Sequence, residues 1–266
     1  MAGTALLEVA DGIATLTLHR PAALNALSVE MMQDLSRAVA ELKNRKDVQV
    51  VVITGAGDHF MAGGDLNDFA ANLHLSSAAR LATFRAMIEQ YINATVIALQ
   101  NLPQPVIAKV RGACAGFGLS LVVGCDLAVC AEDAKFTTAY AAIGLSGDGG
   151  VSYFLPRLLG TRKALELLLL ADRFDAAEAV RLGLVTRAVP AADLDGEVAR
   201  LAARLQSGPR QAYAEIKRLV QASFDTRLES QLQSEAEAFA RCTTTEDFAE
   251  GVTAFLEKRK AAFKGR

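Results

Sequence analysis

Two apolar runs constrain this chain more than anything else in it: "VQVVVITGAG" (48–57) and "PVIAKVRG" (105–112). Neither alternates apolar with polar residues, so neither suits a strand with one face in water. Each reads as a strand covered on both faces, as in a parallel sheet, running into a glycine turn. A third segment, "GFGLSLVVGCDLAVC" (116–130), begins as a glycine turn, continues as a helix and ends in another strand. Before them, "LLEV" and "IATLTLH" flank Ala10-Asp11-Gly12. Asp-Gly is a tight-turn signal, so residues 5–19 predict a β-hairpin. Ser28 caps an amphipathic helix over 28–43, with Leu27, Met31, Leu35 and Leu42 on its apolar side. Ser76 or Ser77 opens a long helix over 76–101. Thr161 caps "RKALELLLLA", and Asp175 caps "AAEAVRLG", which Gly183 ends. From Ala191 onward only helical patterns follow. The chain therefore divides near Val189-Pro190 into residues 1–190, which alternate strand and helix as stacked ββα units, and a helical region, 191–266.

Composition narrows the function. The chain has 266 residues, 52% of them hydrophobic and 22% charged, enough for one well-filled α/β domain with a helical appendage. Its net charge of −2 and the lack of a long basic block argue against a nucleic-acid partner. Four cysteines at 114, 125, 130 and 242 show no CxxC spacing, and the histidines at 19, 59 and 74 are scattered. A metal site needs clustered ligands, so none is expected. The thiols read as reduced, in a cytoplasmic protein. The "LLLL" at 167–170 is too short to span a membrane, and the alternating start is unlike a signal peptide.

Three glycine-rich turns remain: "FMAGGDL" (60–66), "RGACAGFGLS" (111–120) and "IGLSGDGG" (143–150). None is a phosphate loop, for GxxxxGK[ST] and GxGxxG are absent. Each glycine either turns the chain or lets backbone N–H groups at a helix start point into a cleft, where two such donors stabilise an oxyanion. In the third turn Asp148 stands among glycines. It reads as the cap of a helix starting near Gly149, or as a proton-transfer group. Asp65 reads as a cap for the helix after it, and Asp126 as structural. Cys114 reads as a buried small apolar residue, and His59 and His74 as solvated.

"LNALS" (24–28), the first two turns, "FTTAYAAIGLSGDGGVSYFLPRLLG", "AVRLGLV" (179–185) and "TAFLEKRK" (253–260) occur in that order. Together they resemble the crotonase superfamily, the enoyl-CoA hydratase/isomerase family, over essentially the whole chain. The resemblance implies an α/β spiral of ββα units with a C-terminal helical trimerisation region. It implies acyl-CoA thioester substrates, with coenzyme A as part of the substrate and no separate cofactor, and a homotrimer or a dimer of trimers. It places the two backbone N–H donors for a thioester enolate at Gly64 and Phe117. It lines the CoA path with Ala23, Leu24, Asn25, Ala62, Asp65 and Leu66, and has Phe255 and Lys258 reach a neighbouring subunit's CoA.

The hydratases so resembled use two glutamates; the matching residues here are Ser120 and Tyr140. Hydration needs a base for water and an acid for the α-carbon, and serine and neutral tyrosine replace neither well near pH 7. Asp148 occupies the position of the acid in two branches, double-bond isomerases and chlorobenzoyl-CoA dehalogenases. The second also relies on a tryptophan and a histidine, whereas this chain has no Trp and no His in 76–101. The leading expectation is therefore an enoyl-CoA isomerase with Asp148 as general acid/base. Ser120 and Tyr140 are expected to face the acyl group, and Met61, Phe69 and Leu145 to line the pocket. The alternatives are a hydratase of weak or altered activity, a non-catalytic acyl-CoA-binding homologue, or another hydrolase or lyase on this fold.

Overall fold

The computed structural model describes residues 3–265. Strands β1 (Ala5–Ala10) and β2 (Ile13–Leu18) pair antiparallel across a turn in which Asp11 and Gly12 both take positive φ, the hairpin expected of Asp-Gly. Helix α1 (Val29–Leu42) follows, its first turn capped by Ser28, whose hydroxyl accepts the Met31 N–H at 3.2 Å. β3 (Val50–Gly55) then pairs parallel with β2. Helices α2 (Leu66–Ala71), α3 (Ser77–Met87) and α4 (Ala94–Gln100) lead to β4 (Val106–Val110). The long helix expected over 76–101 is present, with Ser76 as its cap and a π-helical stretch at Ile88–Asn93 joining α3 to α4.

Two ββα units come next. In each, a strand in the large sheet is followed by a short strand in a second sheet, then by a helix. β4 leads to β5 (Ala113–Ala115) and α5 (Phe117–Gly124); β6 (Leu127–Ala131) leads to β7 (Lys135–Thr137) and α6 (Val151–Leu159). α7 (Thr161–Leu170), β8 (Phe174–Asp175), α8 (Ala176–Arg181) and β9 (Arg187–Val189) complete the strand-bearing part. The large sheet runs β1-β2-β3-β4-β6-β9 and the small one β5-β7-β8. Asp175 caps α8 as expected, accepting the Glu178 N–H. Thr161 does not cap α7: it is the first helical residue, and the cap position is Gly160, which has no side chain to bond with.

The apolar runs are explained by what covers the large sheet. Val51 and Ile53 face the main core, shared with α1 and α5. Val50, Val52, Ile107 and Val129 face a second core, closed by Leu194, Val198 and Leu201 of α9 (Leu194–Gln206). With both faces buried, alternation has no reason to appear. The first helix beyond Pro190 thus covers the sheet, and α10 (Arg210–Ala222), α11 (Leu228–Thr243) and α12 (Glu246–Leu256) extend past it. α10 buries none of its residues and α11 only Ala238.

Candidate active site

The three glycine turns leave the same side of the small sheet. Met61 bridges Cys114 in parallel, and β5 pairs parallel with β7. Met61, β5 and β7 therefore lie side by side, and each is followed by its glycine turn and then a helix. The turns follow the short strands of the second sheet rather than the long buried strands that precede them in the sequence. Gly63 (φ +97) and Gly116 (φ +52) both take left-handed backbone, which glycine adopts without a steric penalty. A Cβ on Gly116 would lie 3.2 Å from the Gly63 Cα, so the first two turns touch where only glycine fits.

This geometry leaves two amides free. The Leu27 N–H donates to the Gly63 carbonyl (2.8 Å), and the Asp65 N–H to the Leu27 carbonyl (3.0 Å). Those bonds flank Gly64 in a parallel bridge, so its own N–H points the other way. Phe117 is the first residue of α5, and the first N–H groups of a helix have no intrahelical partner. Among the described residues neither N–H donates to a backbone acceptor outside its own element. The Phe117 ring does not project beside its amide into open space. It lies 2% exposed under the third turn, where a Cβ on Gly149 would sit 2.7 Å from its Cδ2.

The same close approach brings Asp148 to α5, since a Gly149 Cβ would also lie 2.9 Å from the Ser120 Cβ. α6 begins only at Val151; its cap is Gly150, with no side-chain capping bond. The Asp148 carboxylate is thus not a helix cap. Its Oδ1 accepts the Tyr140 hydroxyl at 2.7 Å. The Tyr140 and Ser120 hydroxyl oxygens are 2.9 Å apart, and Ser120 donates to the Asp148 main-chain carbonyl at 3.0 Å. Ser120 and Tyr140, expected to face the acyl group, are both buried and bonded to each other and to Asp148. Burial raises the Asp148 carboxyl above its ordinary value, against the smaller opposing effect of the Tyr140 hydrogen bond. Burial, and then the charge of Asp148, push the Tyr140 phenol far above its usual range, so it stays neutral. Among the described residues Asp148 Oδ2 takes no hydrogen bond, in contrast to Oδ1.

The other expected residues fall into groups. The Ala23–Asn25 segment is joined to the first turn by the Ala62 N–H to Leu24 carbonyl bond of 3.0 Å, and Asp65 and Leu66 follow Ala62 in that turn. Leu24 and Leu66 are exposed there. The Asn25 side chain is fully buried and holds the loop, donating to the carbonyls of Ala56 and His59. Asp65 caps α2 and pairs with Arg20 at 2.8 Å. Burial alone would raise its carboxyl, yet Arg20 and the Asn67 amide hold it below the ordinary value. Phe69 lays its ring against Gly64 and meets Phe84 edge-on at 5.5 Å. Met61 is fully buried against Gly118, while Leu145 is 48% exposed on the loop before Asp148. Phe255, 83% exposed, and Lys258 stand at the C-terminal end of α12. Asp126 is structural, accepting the Val106 N–H and Lys217 at 2.7 Å each. His59 is not merely solvated: its Nδ1 accepts the Ala113 N–H at 3.0 Å, tying the first turn to β5. Burial pushes the Cys114 thiol well up, so it stays protonated. Sequence reasoning missed the Ser120–Tyr140–Asp148 circuit, because three residues on separate segments leave no periodic signal. Among the described residues no group of three or more His, Cys, Asp or Glu side chains gathers as a metal site.

A family model described as "Enoyl-CoA hydratase/isomerase" matches residues 8–266. A Rhodobacter capsulatus protein named "Probable enoyl-CoA hydratase" is 37% identical over 97% of each chain. The 1,2-epoxyphenylacetyl-CoA isomerase of Escherichia coli is 33% identical over 98% of each. A solved structure of an enoyl-CoA hydratase from Polaromonas sp. JS666 superposes with a TM-score of 0.89 at 34% identity, covering 98% of this chain and 100% of that one.

Proposed function

The chain belongs to the enoyl-CoA hydratase/isomerase family, within the crotonase superfamily, and from that premise we propose that it is an acyl-CoA isomerase that shifts an enoyl double bond through Asp148. The thioester carbonyl oxygen lies against the Gly64 and Phe117 N–H groups, whose hydrogen bonds strengthen as charge develops on that oxygen. Losing one such donor typically costs about 3–4 kcal/mol of transition-state stabilisation. Asp148 Oδ2 takes a proton from C2, leaving an enolate delocalised over C2 to C4, and returns it at C4. For the reverse shift the carbons exchange roles. One carboxyl serves both steps, so no second acid is needed.

The observation that carries this reading is the state of Asp148: a carboxylate anchored through one oxygen, free at the other, and raised by burial toward the range of a useful base. A general base must be ionised. The rate is therefore expected to rise as pH climbs through the raised Asp148 value. Hydration is the second reading, favoured by the name of the Rhodobacter relative. Ser120 and Tyr140 give it little support, since a neutral phenol and a buried hydroxyl activate water poorly.

The CoA portion is assigned to the loop of Ala23, Leu24 and Asn25 with Ala62, Asp65 and Leu66. Copies of the chain are proposed to assemble as a trimer or a dimer of trimers through the apolar faces of α10 to α12. Phe255 and Lys258 then meet a neighbour's CoA. Four free thiols suit a reducing, cytoplasmic setting. No helix among the described residues is long and apolar enough to cross a membrane.

The test offers 3-enoyl-CoA and 2-enoyl-CoA to the purified protein and follows the conjugated thioester by ultraviolet absorbance. Conversion of the 3-enoyl ester without net water addition is expected. Turnover of the 2-enoyl ester to a 3-hydroxy product at ordinary enzyme rates would install the hydratase reading instead. Tight ester binding with no turnover across a broad acyl panel would mean a non-catalytic binder.

A further inference from the structure

Four oxygens close a ring: Asp148 Oδ1, the Tyr140 hydroxyl, the Ser120 hydroxyl and the Asp148 main-chain carbonyl. The successive contacts are 2.7, 2.9 and 3.0 Å. The main-chain carbonyl only accepts, and each hydroxyl holds one proton. With an ionised carboxylate, three contacts therefore share two protons. If Tyr140 serves the carboxylate and Ser120 the carbonyl, the 2.9 Å contact is left as two facing lone pairs. The Gly116 carbonyl, 3.4 Å from Ser120 Oγ, does not help, because it too only accepts and competes for the same serine proton. A third proton removes the shortfall. Placed on Asp148 Oδ1, it is donated to Tyr140; the tyrosine proton turns to Ser120; the serine proton goes to the carbonyl. Every contact then holds one proton.

We infer that this ring reverses direction with the charge of Asp148: Tyr140 donates to the carboxylate and accepts from the carboxylic acid, and Ser120 is a positioning residue that stabilises the acid form through Tyr140 without touching the carboxyl. The proton that closes the ring sits on Oδ1, leaving Oδ2 a neutral carbonyl-type oxygen. The closed ring is thus the idle state. Release of that proton to solvent readies Oδ2 as the base, and during turnover Tyr140 keeps donating to Oδ1. Burial of Asp148 favours the same idle state. Tyr140 is the titratable group in contact with the carboxyl. Among the described residues no charged side chain of α2, α5 or α6 contributes to its shift. The inference rests on the reading of Asp148 as the base, but its test does not require turnover.

Protein carrying ¹³C at its aspartate carboxyls is titrated by NMR, with Asp148 assigned by the resonance that Asp148→Asn removes. The kcat/KM pH profile on 3-enoyl-CoA is recorded alongside. Ser120→Ala is expected to lower the Asp148 midpoint by roughly 0.5–1 pH unit, the equivalent of one neutral hydrogen bond lost from the acid form. Tyr140→Phe is expected to raise it, because the carboxylate loses a stronger, charge-assisted bond than the acid does. The rising limb of kcat/KM should follow each displacement, with KM little changed. A one-way chain, in which Ser120 only strengthens donation by Tyr140, demands the opposite sign for Ser120→Ala. An unchanged or raised midpoint in that variant therefore overturns the ring. Ser120→Cys retains a weak acceptor and should give a smaller displacement of the same sign, which covers a failure of the alanine variant to fold. Wild-type protein that does not isomerise removes the proposed function, while the NMR titration still decides the ring.

Discussion

In the proposed reaction the chemistry turns on Asp148, and the two roles open to that residue separate cleanly by substitution. Asp148→Asn keeps an oxygen for the Tyr140 hydroxyl but cannot take a proton. Isomerase turnover should fall by roughly 10²–10⁴-fold, the usual contribution of an acid–base group, with CoA-ester affinity retained in a binding titration. Stability should move the other way. Because the native carboxyl is raised, the native chain holds a proton that the unfolded chain releases between the ordinary and the raised value. Stability therefore declines as pH rises through that window. The asparagine variant should lack this decline, which thermal melts across the same pH range will read. The sequence put Asp148 among the candidates but left capping open. Capping depends on where α6 starts, and the glycines on either side of Asp148 (Gly147, Gly149 and Gly150), all with left-handed backbone, hide that boundary. Ser120 and Tyr140 were visible only as missing glutamates; their bonds to Asp148 depend on how three turns stack, which no local pattern encodes.

At the scale of elements, the turns matter more than the helices they precede. Gly149→Ala would press a Cβ to 2.7 Å from the Phe117 ring at a φ of +62. A destabilisation of about 1–3 kcal/mol is expected, read by denaturant unfolding. Phe117 stands at the first position of α5, where proline is tolerated because its missing N–H would have had no helical partner. Phe117→Pro and Phe117→Ala both forfeit the buried ring, but only the proline deletes the amide. Measured on the folded fraction, kcat should fall about 10²–10³-fold further in the proline variant than in the alanine one. Equal rates in the two would remove Phe117 from the oxyanion site. The elements themselves were largely legible: the hairpin from Asp-Gly, α1 from Ser28, and the doubly covered strands from their unbroken apolar runs. The short strands β5 and β7 were not. Three residues carry too little periodicity, and their place is set by pairing with segments distant in sequence.

The single chain leaves a large apolar surface unused. Ile216, Val220, Phe239, Phe248, Phe255 and Leu256 on α10 to α12 are all exposed, as are Leu169 and Leu170 of α7. Scattered exposed apolar residues are ordinary, but so many along neighbouring helices suit the proposed assembly face. Sedimentation should therefore give a mass of three or six chains, and Phe239→Asp on α11 with Val252→Asp on α12, both exposed positions, should shift it toward one. If the variant keeps the wild-type mass, assembly does not use this face. The "LLLL" of α7 reads as too short for a membrane on sequence grounds, and in the fold Leu167 is buried while Leu169 and Leu170 lie open.

The enolate donors proposed here are main-chain groups, and that bears on descent. A codon change rewrites a side chain, but no codon except one for proline erases an amide. Mutation can therefore replace the acids of such a site while the means of holding an enolate passes on intact. A lineage built this way can explore new reactions one residue at a time without first surrendering the old intermediate.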